Sequence, residues 1–354
     1  MVYEQKHAIQ KTMDVETRYV TEEKYNELKR FNICGGDIIV SCRGTIGETF
    51  IVPDDAPLGI MHPSIMKIRL KKDVYDKSYF NLLLQKWLRK HETGANGSGV
   101  KMAISAKKLG AELFPVPPIE EQRKISDIIL KVHQIINERT QQLQKLDELV
   151  KARFVEMFGD MLLNDMAWQE STLDTLADVV SGITKGRKIR ETELIEVPYM
   201  AVSNVKDGYI DWTTVKTIEA TEQEINQYRL LPDDVLMTEG GDPDKLGRGA
   251  IIKAPLENCI HQNHIFRVRL DESVILPIFF AEYLKHQKAK HYFLRCAKQT
   301  TGIASINMRQ LKCTSCIAPT IAATRQFSVF VEQTDKSKVA VQKALDEAQL
   351  LFDS

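Results

Sequence analysis

Pro117-Pro118-Ile119-Glu120-Glu121-Gln122-Arg123-Lys124-Ile125-Ser126 opens a stretch unlike its surroundings, and its pattern recurs as Pro319-Thr320-Ile321 through Arg325 and Ser328. Proline at a first turn, followed by glutamates where the helix dipole favours negative charge, reads as a helix start. Apolar residues then fall at Ile125, Ile129, Val132, Ile136, Leu143, Leu146, Val150 and Phe154, spaced 4, 3, 4, 7, 3, 4 and 4. That spacing lines them along one coiled-coil seam. At the helical rise per residue, ~40 residues make a rod of about 60 Å. Gly159 stops it. The second copy predicts another rod over 321–352, with Phe327, Val331, Val341, Leu345, Ala348 and Phe352 at the seam. That seam is weaker, because Thr334 and Lys338 stand where Val132 and Ile136 stood. Two such rods pair most simply with each other, antiparallel.

Outward from the rods, the rest of the chain also repeats. Gly36-Asp37-Ile38-Ile39-Val40-Ser41 returns as Asp233-Asp234-Val235-Leu236-Met237-Thr238. Ile65-Met66-Lys67-Ile68-Arg69-Leu70 returns as Ile265-Phe266-Arg267-Val268-Arg269-Leu270. The offset drifts only from 197 to 202, so insertions are few. A long-period repeat of this kind implies two homologous modules rather than one enzyme around one cleft. The expected fold is α+β: two mixed α/β globular domains separated by two long antiparallel coiled-coil helices, in a pseudo-two-fold repeat. The domains run 1–116, a first rod 117–158, 160–318, and a second rod 319–354. In the globular parts, Ile38–Ser41, Thr49–Val52, Ile65–Leu70, Val197–Val205 and Tyr209–Trp212 read as strands. Tyr79–His91 and part of Glu272–Phe293 read as helix. Thr93–Gly99 reads as a flexible loop.

Bulk properties set broad limits. A chain of 354 residues, 43% hydrophobic and 27% charged, is an ordinary globular composition with room for two or three cores. Neither a membrane span nor a basic-then-apolar leader is visible, so a cytoplasmic location is expected. Six scattered cysteines suit a reducing compartment, and the single Cys313-Thr-Ser-Cys316 lacks the further ligands that a structural zinc needs.

The net charge is zero but unevenly spread. Between Glu282 and Glu332 there is no acidic residue, while Lys285, Lys288, Lys290, Arg295, Lys298, Arg309, Lys312 and Arg325 lie there. The matching stretch between Glu92 and Glu112 is also acid-free and carries Lys101, Lys107 and Lys108. A like-signed segment placed alike in both modules makes a local field suited to a phosphate backbone. Candidate contacts are Arg43, Thr45, Lys101, Lys185, Arg187, Lys188, Arg248, Lys298 and Arg309, suited to phosphates or guanine edges. Asn204, Asn263, Thr300 and Thr301 could donate or accept at bases. Ile125, Ile129, Val132, Ile136, Leu143, Leu146, Val150, Phe327, Val331, Leu345 and Phe352 are assigned to helix pairing and the partner interface.

Globular module, rod, globular module, rod resembles the specificity subunit of type I restriction-modification systems. The residues carrying the resemblance are Pro117 to Ile125, Leu143-Gln-Lys-Leu-Asp-Glu-Leu-Val150 and Arg153-Phe-Val-Glu-Met-Phe-Gly159. Gly36-Asp37-Ile38 before Arg43-Gly44-Thr45-Ile46-Gly47, and Val202-Ser203-Asn204-Val205-Lys206-Asp207-Gly208, add to it. The resemblance covers essentially the whole chain, and its rod signature is the specific part. It implies a non-catalytic subunit with two target recognition domains, each reading half of a bipartite double-stranded DNA site. The rods would set the gap and dock methyltransferase subunits, to which restriction and translocase subunits bind. S-adenosylmethionine, ATP and Mg would belong to those partners, with no metal or cofactor on this chain. One departure stands out: 66 residues lead from Trp168 to Asp234, against 36 ahead of Asp37. The first module is therefore expected to lack a counterpart of about Trp168–Pro198, as in a misassigned start, a rearranged gene or a truncated allele.

No phosphate-cradling GxxxxGK[ST], no HExxH and no Asn/Asp-Pro-Pro-aromatic tetrapeptide of amino-methyltransferases is present. In Asp233–Lys245 the Lys245 directly follows Asp244, so a nuclease-like acid-x-Lys spacing fails and the segment reads as strand and turn. Two rival readings remain: a decoy or silent allele that binds methyltransferase subunits without reading DNA, and the recognition part of a fused restriction-methyltransferase.

Overall fold

The computed structural model describes residues 1–42, 45–71, 74–92, 106–188, 193–242, 246–300 and 302–353. The chain forms two compact units: unit 1 is Met1–Glu138 with Leu345–Ser354, and unit 2 is Arg139–Ala344.

In chain order, unit 1 contains β1 (Val2–Tyr3), α1 (Gln5–Gln10), α2 (Glu22–Glu27), β2 (Asn32–Ile33), β3 (Ile38–Ser41), β4 (Thr49–Ile51), β5 (Gly59–Met61), β6 (Ile65–Ile68), α3 (Lys77–Glu92) and α4 (Ala106–Gly110). The 40-residue α5 (Ile119–Phe158) begins in unit 1 and ends in unit 2. Unit 2 continues with β7 (Gln169–Thr172), α6 (Leu173–Leu176), β8 (Ala177–Ser181), β9 (Ile195–Met200), β10 (Lys216–Ala220), α7 (Glu222–Tyr228), β11 (Val235–Thr238), β12 (Gly240–Gly241) and β13 (Gly249–Ile251). Then come β14 (Ile260–His261), β15 (Ile265–Leu270), α8 (Pro277–Lys285), α9 (Gln287–Cys296), β16 (Lys298–Thr300), β17 (Ile303–Ser305), α10 (Met308–Lys312) and β18 (Ser315–Ala318). The 33-residue α11 (Ile321–Asp353) starts in unit 2 and ends in unit 1.

The apolar runs that repeat in sequence become the centre of a sheet in each unit. In unit 1 the order is β4-β3-β6, and in unit 2 it is β13-β11-β15-β8. The registers match residue for residue: Ile38 opposes Ile51 and Ile68, and Val235 opposes Ile251 and Val268. These central strands are buried throughout, which explains their unbroken apolar character. Both are entered by the same turn. Asp37 N donates to Cys34 O and Asp234 N to Leu231 O, after a residue at positive φ: Gly36 at 81° and Asp233 at 65°. Glycine and aspartate tolerate that left-handed conformation, which bulkier side chains rarely adopt. The parallel pair Val2–Tyr3 on β5 likewise matches Tyr199–Met200 on β14.

The apolar seam of the long helices is legible in their burial. Ile125, Ile129, Val132, Ile136, Leu143 and Leu146 are half-buried, and Val150, Phe154 and Phe158 are buried. On α11, Phe327 and Val331 are buried, while Leu345 and Phe352 are half-buried. Within unit 2 the partners on α11 fall in number as those on α5 rise. Lys338 Nζ lies 2.8 Å from Asp147 Oδ1, Arg153 sits over the Phe330 ring, and Phe154 and Phe158 meet Phe327 with centroids 5.5 Å apart. In unit 1, His133 and Phe352 meet at a tilt of 59° with centroids 4.2 Å apart. The two polar seam positions are accommodated locally: Thr334 returns its hydroxyl to Phe330 O at 2.9 Å, and Lys338 reaches Asp147. Gly159, at φ 76°, ends α5.

Two sequence readings need correcting and one is refined. Val197–Val205 is not one strand: β9 ends at Met200, and a 3₁₀ turn follows at Val202–Asn204. The cause is Asn204, whose amide oxygen accepts from Ala201 N at 3.0 Å and competes with the ladder. Tyr209–Trp212 holds only an isolated bridge between Val205 and Ile210. Glu272–Phe293 carries two helices, because His286 takes extended backbone (ψ 152°) and caps α9. The Thr93–Gly99 loop lies outside the described residues.

Candidate nucleic-acid interface

Two arginine–carboxylate pairs of the same design pin the two sheets. In unit 1, Arg69 Nε and Nη2 each donate at 2.6 Å to the two oxygens of Asp37, which also accepts from Cys34 N. In unit 2, Arg269 donates to Asp234 at 2.7 and 2.8 Å, and Leu231 N supplies the third bond. Both aspartates are buried, at 2% and 1% exposure. Burial alone would raise the Asp37 carboxyl, but the hydrogen bonds from Arg69 and Cys34 outweigh it and hold it below its ordinary value. The bidentate geometry accounts for the recurring acid and arginine without any chemistry on a substrate.

The acid-free stretch divides into committed and available cations. Lys285 pairs with Glu282 at 2.5 Å, and Lys288 with Glu170 at 2.8 Å. Among the described residues, Lys290, Arg295, Lys298 and Arg309, all exposed, and the half-buried Lys312 have no carboxylate at ion-pair distance. Four of these sit on one bonded piece of unit 2. β16 and β17 form a hairpin whose outer strand is β12. Asn307 caps α10 by accepting from Gln310 N at 2.9 Å, and the Gln310 side chain donates to Cys296 O at the end of α9. Tyr292 of α9 donates to Gln310 O at 2.8 Å. Arg295, Lys298, Arg309 and Lys312 thus lie on α9, the β16–β17 pair and α10, which these hydrogen bonds and the strand pairing tie together. Such a platform can neutralise several phosphates at once.

The other candidates are distributed differently. Lys185 and Lys188 are exposed, and so is Thr45. Arg187 is committed: it grips Glu224 through two nitrogens and donates to Glu219 O, tying its loop to α7. Asn204 is fully buried, and its amide is consumed by Ala201 N, Asp211 O and Thr214 Oγ1. It shapes the loop and presents nothing to solvent. The half-buried Asn263 bonds through its backbone to Ile183 O and Ser181 Oγ. Arg248 is half-buried and lines a cavity of about 280 Å³ with Asp207, Lys285 and Lys290. Arg43, Lys101 and Thr301 lie outside the described residues, as does the side chain of Thr300.

Gln122 was not singled out in the sequence, yet it is fully buried in unit 1. Its oxygen accepts from Asp76 N, and its nitrogen donates to Val74 O and Pro117 O at 2.8–2.9 Å. It thereby fastens the first turn of α5 to the segment before α3. Among the described residues no three His, Cys, Asp or Glu side chains converge as a metal site would require, and no helix is long and apolar enough to cross a membrane. Cys316 is buried, which pushes its thiol up to about 12, while Cys313 is exposed.

Comparison with known proteins agrees with this architecture. Residues 7–147 match the type I restriction modification DNA specificity domain. Over 173 residues the chain is 25% identical to a putative type I restriction enzyme MjaX specificity subunit of Methanocaldococcus jannaschii, covering 48% of this chain and 41% of that one. Over 247 residues it is 20% identical to the type I restriction enzyme EcoKI specificity subunit of Escherichia coli, covering 66% of this chain and 53% of that one. The chain thus spans about half the length of these curated relatives. The fold is that of a type I restriction-modification S subunit from M. genitalium, with a TM-score of 0.57 at 16% identity over 92% of this chain and 83% of that one. The chain is thus similar to type I restriction-modification specificity subunits, the matched specificity domain spanning residues 7–147.

Proposed function

We propose that this protein is the DNA sequence-specificity subunit of a type I restriction-modification complex. It has no chemistry of its own and binds a bipartite target through two recognition domains, at 1–116 and 160–318. α5 and α11 act as an antiparallel coiled coil that relates the domains by pseudo-two-fold symmetry and sets the spacing of the half-sites. The observation that carries this reading is the duplicated core: the same turn, strand register and Asp–Arg pin in both units. The cationic α9–hairpin–α10 platform of unit 2 meets phosphates. Apolar residues on the outer helix faces, such as Ile128, Ile135 and Val339, dock methyltransferase subunits, on which restriction subunits assemble. The protein works in the cytoplasm, where its DNA target lies.

The test is selection from random duplex DNA by the chain co-purified with its methyltransferase subunit. Two short conserved blocks at fixed separation are expected. Enrichment without any motif would refute the reading. One block repeated as a palindrome would assign reading to unit 2 alone. The silent-allele alternative predicts a stable complex with no enrichment.

A further inference from the structure

The turn that leads into β4 in unit 1, or β13 in unit 2, borders a cavity, and the two cavities occupy one place in the repeated frame. In unit 1 it measures about 170 Å³ and is lined by Lys11, Gly47, Glu48 and Gln85 among others. In unit 2 it measures about 280 Å³ and is lined by Asp207, Gly247, Arg248, Lys285 and Lys290 among others. The walls correspond. Ser41 N donates to Glu48 O at the end of β3, as Thr238 N does to Arg248 O at the end of β11. Gly47 and Gly247 both stand at positive φ, 90° and 73°. The helix wall is Gln85 of α3 or Lys285 of α8, each after a buried leucine, Leu84 or Leu284. The last wall is a corner at positive φ, formed by Lys11 at 53° in unit 1 and by Gly208 at 85°, next to Asp207, in unit 2.

The chemistry inside differs. In unit 1 the polar groups satisfy one another: Lys11 Nζ lies 3.4 Å from Glu48, and Gln85 donates to Thr49 Oγ1 at 2.8 Å. In unit 2 glycine stands at 208 and 249 in place of Lys11 and Thr49, and Arg248 replaces Glu48, so both couplings are gone. Gly247 presses on the Phe293 ring, where a Cβ would come within 2.4 Å. That approach holds the turn against α9 and sets Arg248 beside Lys290. Arg248 Nε is buried and has no hydrogen-bond partner among the described residues. Neither Arg248 nor Lys290 has a carboxylate at ion-pair distance among them, Lys285 is shared with Glu282, and Asp207 is exposed. A buried guanidinium nitrogen without an acceptor is costly, and its planar fork matches an oxyanion. The volume falls just below the ~300 Å³ at which small-molecule sites begin, which suits one phosphoryl group and its sugar rather than a whole cofactor.

We propose that the cavity beside Arg248 is a phosphoryl-binding site, with Arg248 supplying the fork and Lys290 a second charge. Its counterpart in unit 1 is closed to anions by the Lys11–Glu48 pair. The phosphoryl group belongs to a duplex DNA backbone or to a free phosphate. The first source rests on the DNA-binding reading above, and the second does not.

The test is titration of inorganic phosphate with the full chain at fixed ionic strength, read by phosphorus NMR line broadening. Saturable broadening is expected, and Arg248→Gln and Lys290→Gln should each weaken it about tenfold, the worth of one charge-assisted hydrogen bond. Lys290 is exposed, so its variant still decides the matter if Arg248→Gln does not fold. Arg89→Gln, in the unit 1 cavity, should leave the broadening unchanged. Duplex binding by the same variants identifies the source. A slope of log affinity against log salt lowered by about 1 in Arg248→Gln assigns the site to a backbone phosphate, and an unchanged slope assigns it to a free one. If the wild-type chain binds no duplex, the DNA-binding reading fails while the phosphate titration still decides the site. Absence of broadening in the wild-type chain would overturn the proposal. So would broadening that both unit 2 variants retain, since it would place phosphate on the α9–hairpin–α10 cations instead.

Discussion

Units 1 and 2 share a turn, a register and an ion pair, yet they differ in how well the sheet is closed and in what is buried at its centre. Asp37–Arg69 and Asp234–Arg269 are nearly superposable as chemistry. By contrast, the position of Met61 in unit 1 holds His261 in unit 2, buried beside Arg267 and Asp234. The difference teaches that the repeat preserves what fixes the backbone and leaves free what fills and edges it.

The comparison can be broken most forcefully through the aromatic cluster of unit 2. Phe327 is fully buried against Phe154 and Phe158, and Phe327→Ala should cost about 3–5 kcal/mol. Local hydrogen exchange would locate the loss in unit 2. A loss below 1 kcal/mol would mean that the helices are held elsewhere. Next come the paired pins. Arg69→Ala and Arg269→Ala each leave a buried carboxylate short of partners and should cost about 2 kcal/mol, less than a fully buried pair because both arginines are partly exposed. If one costs much and the other nothing, the two sites are not equivalent, and the repeat is one of sequence alone.

A third effect separates the units by pH. Burial pushes the imidazole of His261 down to about 4, although Tyr228 O and Val180 O accept from or face its nitrogens. The unfolded chain takes up a proton near the ordinary histidine value while the folded protein refuses it, so stability of unit 2 falls as pH drops from about 6.5 to about 4. His261→Met, which copies unit 1, should flatten that slope in denaturant titrations. What slope remains belongs to groups such as His7 of unit 1, also held low by burial, and the carboxylates. An unchanged slope would contradict the assignment. The smallest effect concerns DNA. Lys298→Ala and Arg309→Ala should each weaken binding across all sequences and lower the slope of log affinity against log salt by about 1. Unchanged slopes in both would remove the platform from the phosphate contact.

The frame was legible before the fold was known because its signals are local and periodic. The helix start at Pro117-Pro118, the seam from Ile125 to Phe154 and the stop at Gly159 are set by short-range rules. The repeat around Asp37 and Asp234 located both sheets. The contact residues were less legible, since a basic residue in a loop looks the same whether it meets solvent or a carboxylate. Arg187 and Lys288 find Glu224 and Glu170, 37 and 118 residues away, and Asn204 is consumed by its own loop. Gln122 escaped for the opposite reason: a polar residue in a polar helix gives no sign that three backbone partners surround it.

The measurement closest to the central claim is mapping of genomic methylation by single-molecule sequencing, in cells that express methyltransferase subunits with and without this gene. Two recognition units on one chain predict a bipartite motif, methylated only when the gene is present. A genome whose methylation is the same in both strains would contradict the account.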